Sequence, residues 1–292
     1  MTSMFKSEAA RAEVAAWFEK FHARLSAPTE RRRVMTRFGE AHILVGGPET
    51  APPLVLLHGA MASSAHALAE LEGLLGAFRV YAIDVVGQSV MSADQRPSVK
   101  DDSYGLWLAE VLDGLSLPQA HIVGVSWGGF VAQRLAAVAP ERITRLALLV
   151  PAGIVSGPFF EGFRRVGWPM TVYLFRPSEA NLDAFVANLL TTKDDDWRRF
   201  LGDAFRAYDM AGMKVPRLAR DGEFAKLTAP VLVIGADRDA SFPGPMLLDR
   251  ARKLFPTLTD TELLKDSNHC PPTTPEFRAW LSDRITRFLA ET

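Results

Sequence analysis

The chain has one cysteine, Cys270, so it can form no internal disulfide and offers no cluster of thiolates for structural zinc. That usage fits a reducing compartment, and we expect a cytoplasmic protein. Net charge is also nearly absent: 33 Lys and Arg oppose 34 Asp and Glu, leaving −1. With no broad positive field, nucleic acid is not an expected partner. The only sharp basic run, Arg31 to Arg33, reads as a solvated connection after an N-terminal helix. Long apolar runs are missing too. The longest uncharged stretch near the middle, Leu146 to Phe160, is interrupted by Pro151, Gly153, Gly157 and Pro158 and is shorter than the ~18 residues of a membrane span. The first 25 residues carry charges throughout, so they resemble neither a cleavable signal nor a span. Neither H-E-x-x-H nor a nucleotide-binding glycine loop occurs, and no metal or organic cofactor is expected. Internal repeats and low-complexity tracts are absent as well.

What is present suits a globular fold. Of 292 residues, 48% are hydrophobic and 23% charged, enough for a sizeable core in one or two units. Residues 8–25 place Ala9, Val14, Trp17, Phe18, Phe21 and Leu25 at near-helical spacing, which predicts an amphipathic helix lying on the body. The following RRRVMTRFGEAHILVGG predicts an antiparallel hairpin with Gly39 near its turn. Short apolar runs then recur at 53–59, 79–84, 121–126, 145–150 and 230–235, with a weaker one at 261–266. Helical patterns at 65–78, 104–115 and 128–139 separate the early ones. This alternation predicts an α/β fold, a mostly parallel sheet with helices on both faces, with ligands at the carboxyl ends of the strands. From about Ile154 to Thr228 the alternation stops and aromatics accumulate, which predicts an inserted helical cap. The expected units are a core in two parts, 1–153 and 229–292, around a cap at 154–228.

Chemistry concentrates at Gly124-Val125-Ser126-Trp127-Gly128. A G-x-S-x-G between a strand and a helix is the pattern of a nucleophile elbow, whose strained turn projects the serine hydroxyl above the sheet. The competing reading, a phosphate cradle, would want a P-loop lysine or a G-x-G-x-x-G spacing, and neither is present. A serine needs a base oriented by a carboxylate. Of six histidines, His269 lies in DSNHCPP past the last weak strand, where a loop can reach the elbow. His22, His42, His66 and His121 fall on the first helix, the hairpin, a helix and a strand start, where structural roles are expected. The acid belongs after the penultimate strand, in GADRDASFPG, where Asp237 and Asp239 both qualify by spacing. Oxyanion donors are expected from the backbone of Trp127 and from the HGAMASS loop at Ala60, with Met61 as the alternative. His58 in that loop is expected to brace it by hydrogen bonds rather than act as base. Cys270 has no distinct base and is not expected to be a nucleophile.

Taken together, LLHGAMASS, AIDVVGQS, GVSWGG, GADRDASFPG and DSNHCPP resemble the α/β-hydrolase superfamily, and most closely its small bacterial carboxylesterase-type members. The resemblance spans roughly residues 30–290. It implies Ser126 as nucleophile, His269 as base and acid, and Ala60 and Trp127 as oxyanion donors. The proline four residues after Asp239 matches the family's acid loop and favours Asp239. The family's aspartate more often falls three residues after the strand-end glycine, whereas Asp239 is four after Gly235, which keeps Asp237 open. VVGQSVMS lacks the proline and one glycine of the family's usual D-x-P-G-x-G-x-S, and Asp84 there is expected to form a turn. The implied activity is hydrolysis of a small hydrophobic ester through an acyl-enzyme. A carbon–carbon bond hydrolase, a perhydrolase-like enzyme and a non-catalytic ligand-binding member are the alternatives. Arg164, Arg165 and Arg176 of the cap are expected at the solvated surface, and oligomeric state is not encoded in any feature found.

Overall fold

The computed structural model describes residues 3–291. Residues 1, 2 and 292, which the expected core boundaries include, lie outside the described residues. Among the described residues, eight strands form one sheet: β1 (Thr29–Thr36), β2 (Gly39–Gly46), β3 (Pro53–Leu57), β4 (Arg79–Ile83), β5 (Ala120–Val125), β6 (Ile143–Leu149), β7 (Val231–Ala236) and β8 (Leu258–Leu264). Their spatial order is β1-β2-β4-β3-β5-β6-β7-β8. The β1–β2 hairpin joins antiparallel to β4, and every other pairing is parallel. Parallel strands covered on both faces must be apolar throughout. In β3, Leu54 and Leu56 enter one core while Val55 and Leu57 enter the other, and all four are buried.

Helices fill both layers. On one face, α3 (Ser103–Gly114), α4 (Trp127–Val138) and α9 (Gly244–Leu254) bury their apolar sides with Val55 and Leu57. On the other, α1 (Glu8–His22), α2 (Ser64–Leu71) and α10 (Pro275–Ala290) pack with Leu54 and Leu56. Ser7 caps α1 by accepting from the Ala10 N–H, and Val14, Phe18 and Phe21 form its buried stripe. The expected 65–78 helix is α2 followed by a tight 3₁₀ stretch, Glu72–Gly76. Strand β8 starts at Leu258, ahead of the expected 261, because TLTDTE carries too little apolar alternation to mark its start.

Between β6 and β7 lie α5 (Phe159–Gly162), a π turn (Phe163–Gly167), α6 (Trp168–Phe175), α7 (Glu179–Val186) and α8 (Asp195–Ala207). The expected helical cap is therefore helical only as far as Ala207. Residues 209–228 hold neither helix nor strand and run back over the body. Gly212, Pro216 and the positive φ of Gly222 punctuate this return. Its anchor is Glu223, which accepts from Arg217 and from the fully buried Arg134 of α4. Among the described residues no helix is long and apolar enough to cross a membrane.

Candidate active site

Strand β5 ends at Val125 and α4 begins at Trp127, so Ser126 alone makes the turn between them, at φ 49° and ψ −109°. A non-glycine residue held there costs on the order of 1–3 kcal/mol, which the surroundings must offset. They do so from both sides. The Ser126 N–H donates to Leu149 O of β6 at 2.9 Å, and Ser126 O accepts from Ala152 N at 2.9 Å. The flanking glycines answer to close approach: a Cβ at Gly124 would stand 2.7 Å from Gly128 O, and one at Gly128 only 2.3 Å from Leu57 O. Strand and helix meet so tightly that no larger residue fits either position.

His269 Nε2 lies 2.9 Å from Ser126 Oγ, and His269 Nδ1 lies 2.7 Å from Asp239 Oδ2. The other Asp239 oxygen accepts from Ser241 N at 2.8 Å and Phe242 N at 3.0 Å, which fixes the carboxylate's aim. With the ring proton on Nδ1 facing that carboxylate, Nε2 keeps a lone pair toward the serine hydroxyl. Burial alone would depress the His269 imidazolium, but the charge and hydrogen bond of Asp239 outweigh it and hold its pKa above the usual imidazole value. For Asp239, burial works upward and the facing histidine and two backbone N–H groups work downward, with a net shift down.

Asp237, the alternative acid, does not touch His269. Its two oxygens accept from Asp266 N and Ser267 N, each at 3.1 Å, and so tie the acid loop to the histidine loop. Sequence spacing could not separate the two carboxylates because both belong to this junction. The histidine loop has a further support that the sequence did not disclose. Cys270 N donates to Leu189 O and Thr191 N to Cys270 O, so the segment between α7 and α8 grips the residue next to His269.

Of the expected oxyanion donors, Trp127 N heads α4 beside Ser126, and the Ala60 loop stands over the nucleophile. A Cβ built on Gly59 would lie 3.5 Å from Ser126 Cβ. Among the described residues, neither the Ala60 nor the Trp127 backbone N–H has a hydrogen-bond acceptor. Met61 N, in contrast, faces Gln88 Oε1 at 3.4 Å, which favours Ala60 over Met61.

The other five histidines are bonded elsewhere: His22 to Thr29, His42 to Asp84, His58 to Gly59 O and Val85 N, His66 to Ser63 and His121 to Thr144, although His58 and His66 also line the cavity that holds Ser126. Asp84 requires a correction. It is no simple turn former but a fully buried carboxylate that accepts from His42 Nδ1, Ser64 N, Ser64 Oγ and Ser89 Oγ at 2.6–2.9 Å. Its partners come from three separate segments, which local sequence around AIDVVGQS cannot reveal. Burial pushes its pKa up, and the hydrogen bonds and charge of His42, the charge of His58 and the Ser64 bond bring it below the ordinary carboxylate value.

A cavity of about 400 Å³ opens at Ser126 and His269. Trp197, Phe200, Leu201 and Phe205 of α8 form one wall, so the inserted helices supply much of the apolar surface. Its polar lining includes the Glu70–Arg278 pair, bidentate at 2.7 Å, with Trp197 Nε1 also donating to Glu70. Sequence reading missed both residues, since one charge on α2 and one on α10 look like solvated helix positions until the fold pairs them. Arg164, Arg165 and Arg176 do not line this cavity.

Residues 52–272 match the family model described as alpha/beta hydrolase fold. The chain is 29% identical over 264 residues to an uncharacterized carboxylesterase, nap, of Bacillus subtilis (strain 168), covering 89% of this chain and 86% of that one. It is 27% identical over 272 residues to carboxylesterase YbfK of the same strain, covering 88% and 86% respectively. The solved structure of naproxen esterase (carboxylesterase NP) from Bacillus subtilis superposes with a TM-score of 0.80 at 23% identity, over 95% of this chain and 97% of that one. From its sheet order, its strained serine turn and its match to the family model, this chain belongs to the α/β-hydrolase family.

Proposed function

We propose that the protein is a serine carboxylesterase acting on small, hydrophobic esters. The observation that carries this reading is the continuous relay from Asp239 Oδ2 through His269 to Ser126 Oγ, two contacts of 2.7 and 2.9 Å at the mouth of an apolar cavity. The similarity to proteins named carboxylesterases supports an ester as the bond cleaved.

In this mechanism His269 Nε2 takes the Ser126 proton as Oγ attacks the acyl carbon. The carbonyl oxygen gains the displaced electron pair and is held by the N–H groups of Ala60 and Trp127. One such donor is worth about 10²–10³-fold in rate. Collapse expels the alkoxide, which takes the proton from His269 and leaves as alcohol. Water, deprotonated by the same histidine, then attacks the acyl-enzyme, and the acid departs with Ser126 restored. Asp239 keeps the imidazole in its Nδ1–H tautomer and stabilises the transient imidazolium. Residues 154–228 act as the cap that shapes the pocket for the apolar part of the substrate. The one cysteine supports a cytoplasmic setting.

The test is hydrolysis of p-nitrophenyl esters of increasing acyl length by the wild type and Ser126→Ala, with fluorophosphonate labelling in parallel. Turnover and labelling are expected in the wild type and absent in the variant. A wild type that neither turns over nor labels overturns the esterase reading.

A further inference from the structure

Residues 159–175 form one unbroken helical rod with two apolar faces. It runs through α5, the π turn and α6, and Gly162 and Gly167 at the junctions keep helical φ and ψ. On the inner face Val166, Met170 and Leu174 recur at helical spacing and pack against the core, with Tyr173 buried beside them. The outer face carries Phe159, Phe160, Phe163, Trp168 and Phe175, which are between 48% and 84% exposed.

The π turn brings these rings onto one face. In an α-helix, residues five positions apart are rotated by about 140° around the axis. Here Trp168 N donates to Phe163 O, five positions back, so Trp168 stands over Phe163 with ring centroids 6.4 Å apart. Phe159 adjoins Phe160 at 5.8 Å and Phe163 at 6.2 Å, and Phe175 follows Trp168 by about two helical turns. A soluble monomer rarely leaves a stripe of this kind bare.

The charge around the stripe says what covers it. Between Ser156 and Ser178 lie three arginines, Arg164, Arg165 and Arg176, and one acid, Glu161. Arg165 pairs with Glu161 at 3.3 Å and donates to Arg238 O at 3.2 Å. Arg164 and Arg176 are exposed, and among the described residues neither side chain has an ion-pair or hydrogen-bond partner. A two-fold contact would set this face against its own copy, opposing like charges with the one acid already engaged. Phosphates over hydrocarbon complement both features. The rings enter the boundary between headgroups and acyl chains, and the guanidinium groups meet the phosphates.

We propose that the outer face of residues 159–175 docks on an anionic lipid bilayer, a binding activity separate from ester hydrolysis. The docked face adjoins the acid loop, where Gly157 N donates to Ser241 O at 2.8 Å and Ser241 lines the cavity.

Co-sedimentation of the full chain with lipid vesicles tests this. The wild type is expected to bind vesicles of phosphatidylglycerol mixed with phosphatidylcholine, and to bind phosphatidylcholine alone more weakly, the difference shrinking as salt rises. The double variant Phe160→Gln with Trp168→Gln should bind the mixed vesicles about tenfold or more weakly, because two rings no longer enter the boundary. Arg164→Gln with Arg176→Gln should weaken binding to the mixed vesicles by about 20-fold and to phosphatidylcholine alone by less than about threefold. Circular dichroism melts check folding, and if one pair lowers the melting temperature the other decides. Sedimentation velocity without lipid reads the rival occupant. A wild-type dimer that the aromatic pair abolishes means that a second copy covers the face, and it overturns the proposal. So does a wild type that binds neither vesicle, or binding that both double variants retain. Ester turnover is read at no step, so a failure of the esterase reading leaves this result untouched.

Discussion

Asp239 and His269 come from loops after successive strands, β7 and β8, yet their side chains meet at 2.7 Å, while Asp237 on the same loop as Asp239 bonds only backbone N–H groups of residues 266 and 267. The two carboxylates therefore have separable roles. Asp239→Asn should lower kcat by about 10³–10⁴-fold, because an amide facing Nδ1 favours the wrong tautomer. Asp237→Asn should keep kcat within a few-fold and cost roughly 1–2 kcal/mol of stability through weakened loop bonds. Kinetics and denaturant melts of both variants check this; equal kinetic damage would contradict it.

The pH profile follows from the direction of the His269 shift. Hydrolysis needs the neutral imidazole, so kcat/KM should climb with pH to a plateau through an apparent pKa above the ordinary 6.5. Asp239→Asn removes the carboxylate that raises it, so the residual activity should titrate at lower pH. A wild-type limb below 6.5 would contradict the assignment.

Strands and the serine turn at Ser126 were legible in the sequence because each leaves a local mark. Buried parallel strands such as VLVIGA are uninterrupted apolar runs, and Ser126 sits between glycines that the elbow's close approach requires. What stayed hidden depends on distant partners. Asp84 looks like a turn residue until His42, Ser64 and Ser89 converge on it. Glu70 and Arg278 are 208 positions apart and meet only in the cavity wall. The choice between Asp237 and Asp239 is of the same kind, set by which carboxylate the Ser241 and Phe242 N–H groups turn toward His269.

Cys270 adjoins His269 but should be inert. Burial first, and then the Asp239 and Glu70 carboxylates, push its thiol up to about 12. Iodoacetamide at mildly alkaline pH should leave the native protein unmodified and fully active, and Cys270→Ala should retain wild-type kcat within a few-fold. Rapid alkylation with loss of turnover would show a reactive thiol at the site.

Pocket length should be set by α8. Phe205 is partly buried and lines the cavity, so Phe205→Ala removes wall surface at a smaller stability cost than a fully buried phenylalanine would incur. The ratio of kcat/KM for p-nitrophenyl octanoate over butyrate should rise by about tenfold, the scale that one or two methylenes of apolar contact provide. An unchanged ratio would place the acyl chain elsewhere.

Glu223 holds the segment 209–228 that leads back to β7. Burial raises its pKa, but hydrogen bonds from Arg217 and Arg134 prevail and lower it to about 2. A depressed carboxylate contributes stability above its ordinary value of 4.5 that is lost as pH falls toward 2. Glu223→Gln should therefore destabilise by about 3 kcal/mol near neutral pH, since the buried Arg134 loses its nearer counter-charge and keeps only Asp102 at 3.8 Å. The gap to wild type should narrow as pH falls through the range between those values. A gap independent of pH would argue against the ion-pair account.

The central claim is that Ser126 becomes acylated during turnover. The most direct measurement is an acid quench of enzyme mixed with excess p-nitrophenyl butyrate, followed by intact-mass analysis and peptide mapping. A butyryl increment on the peptide bearing Ser126, formed by the wild type and absent from Ser126→Ala, is the expected result. Turnover with no acyl increment, or an increment that persists in Ser126→Ala, would contradict it.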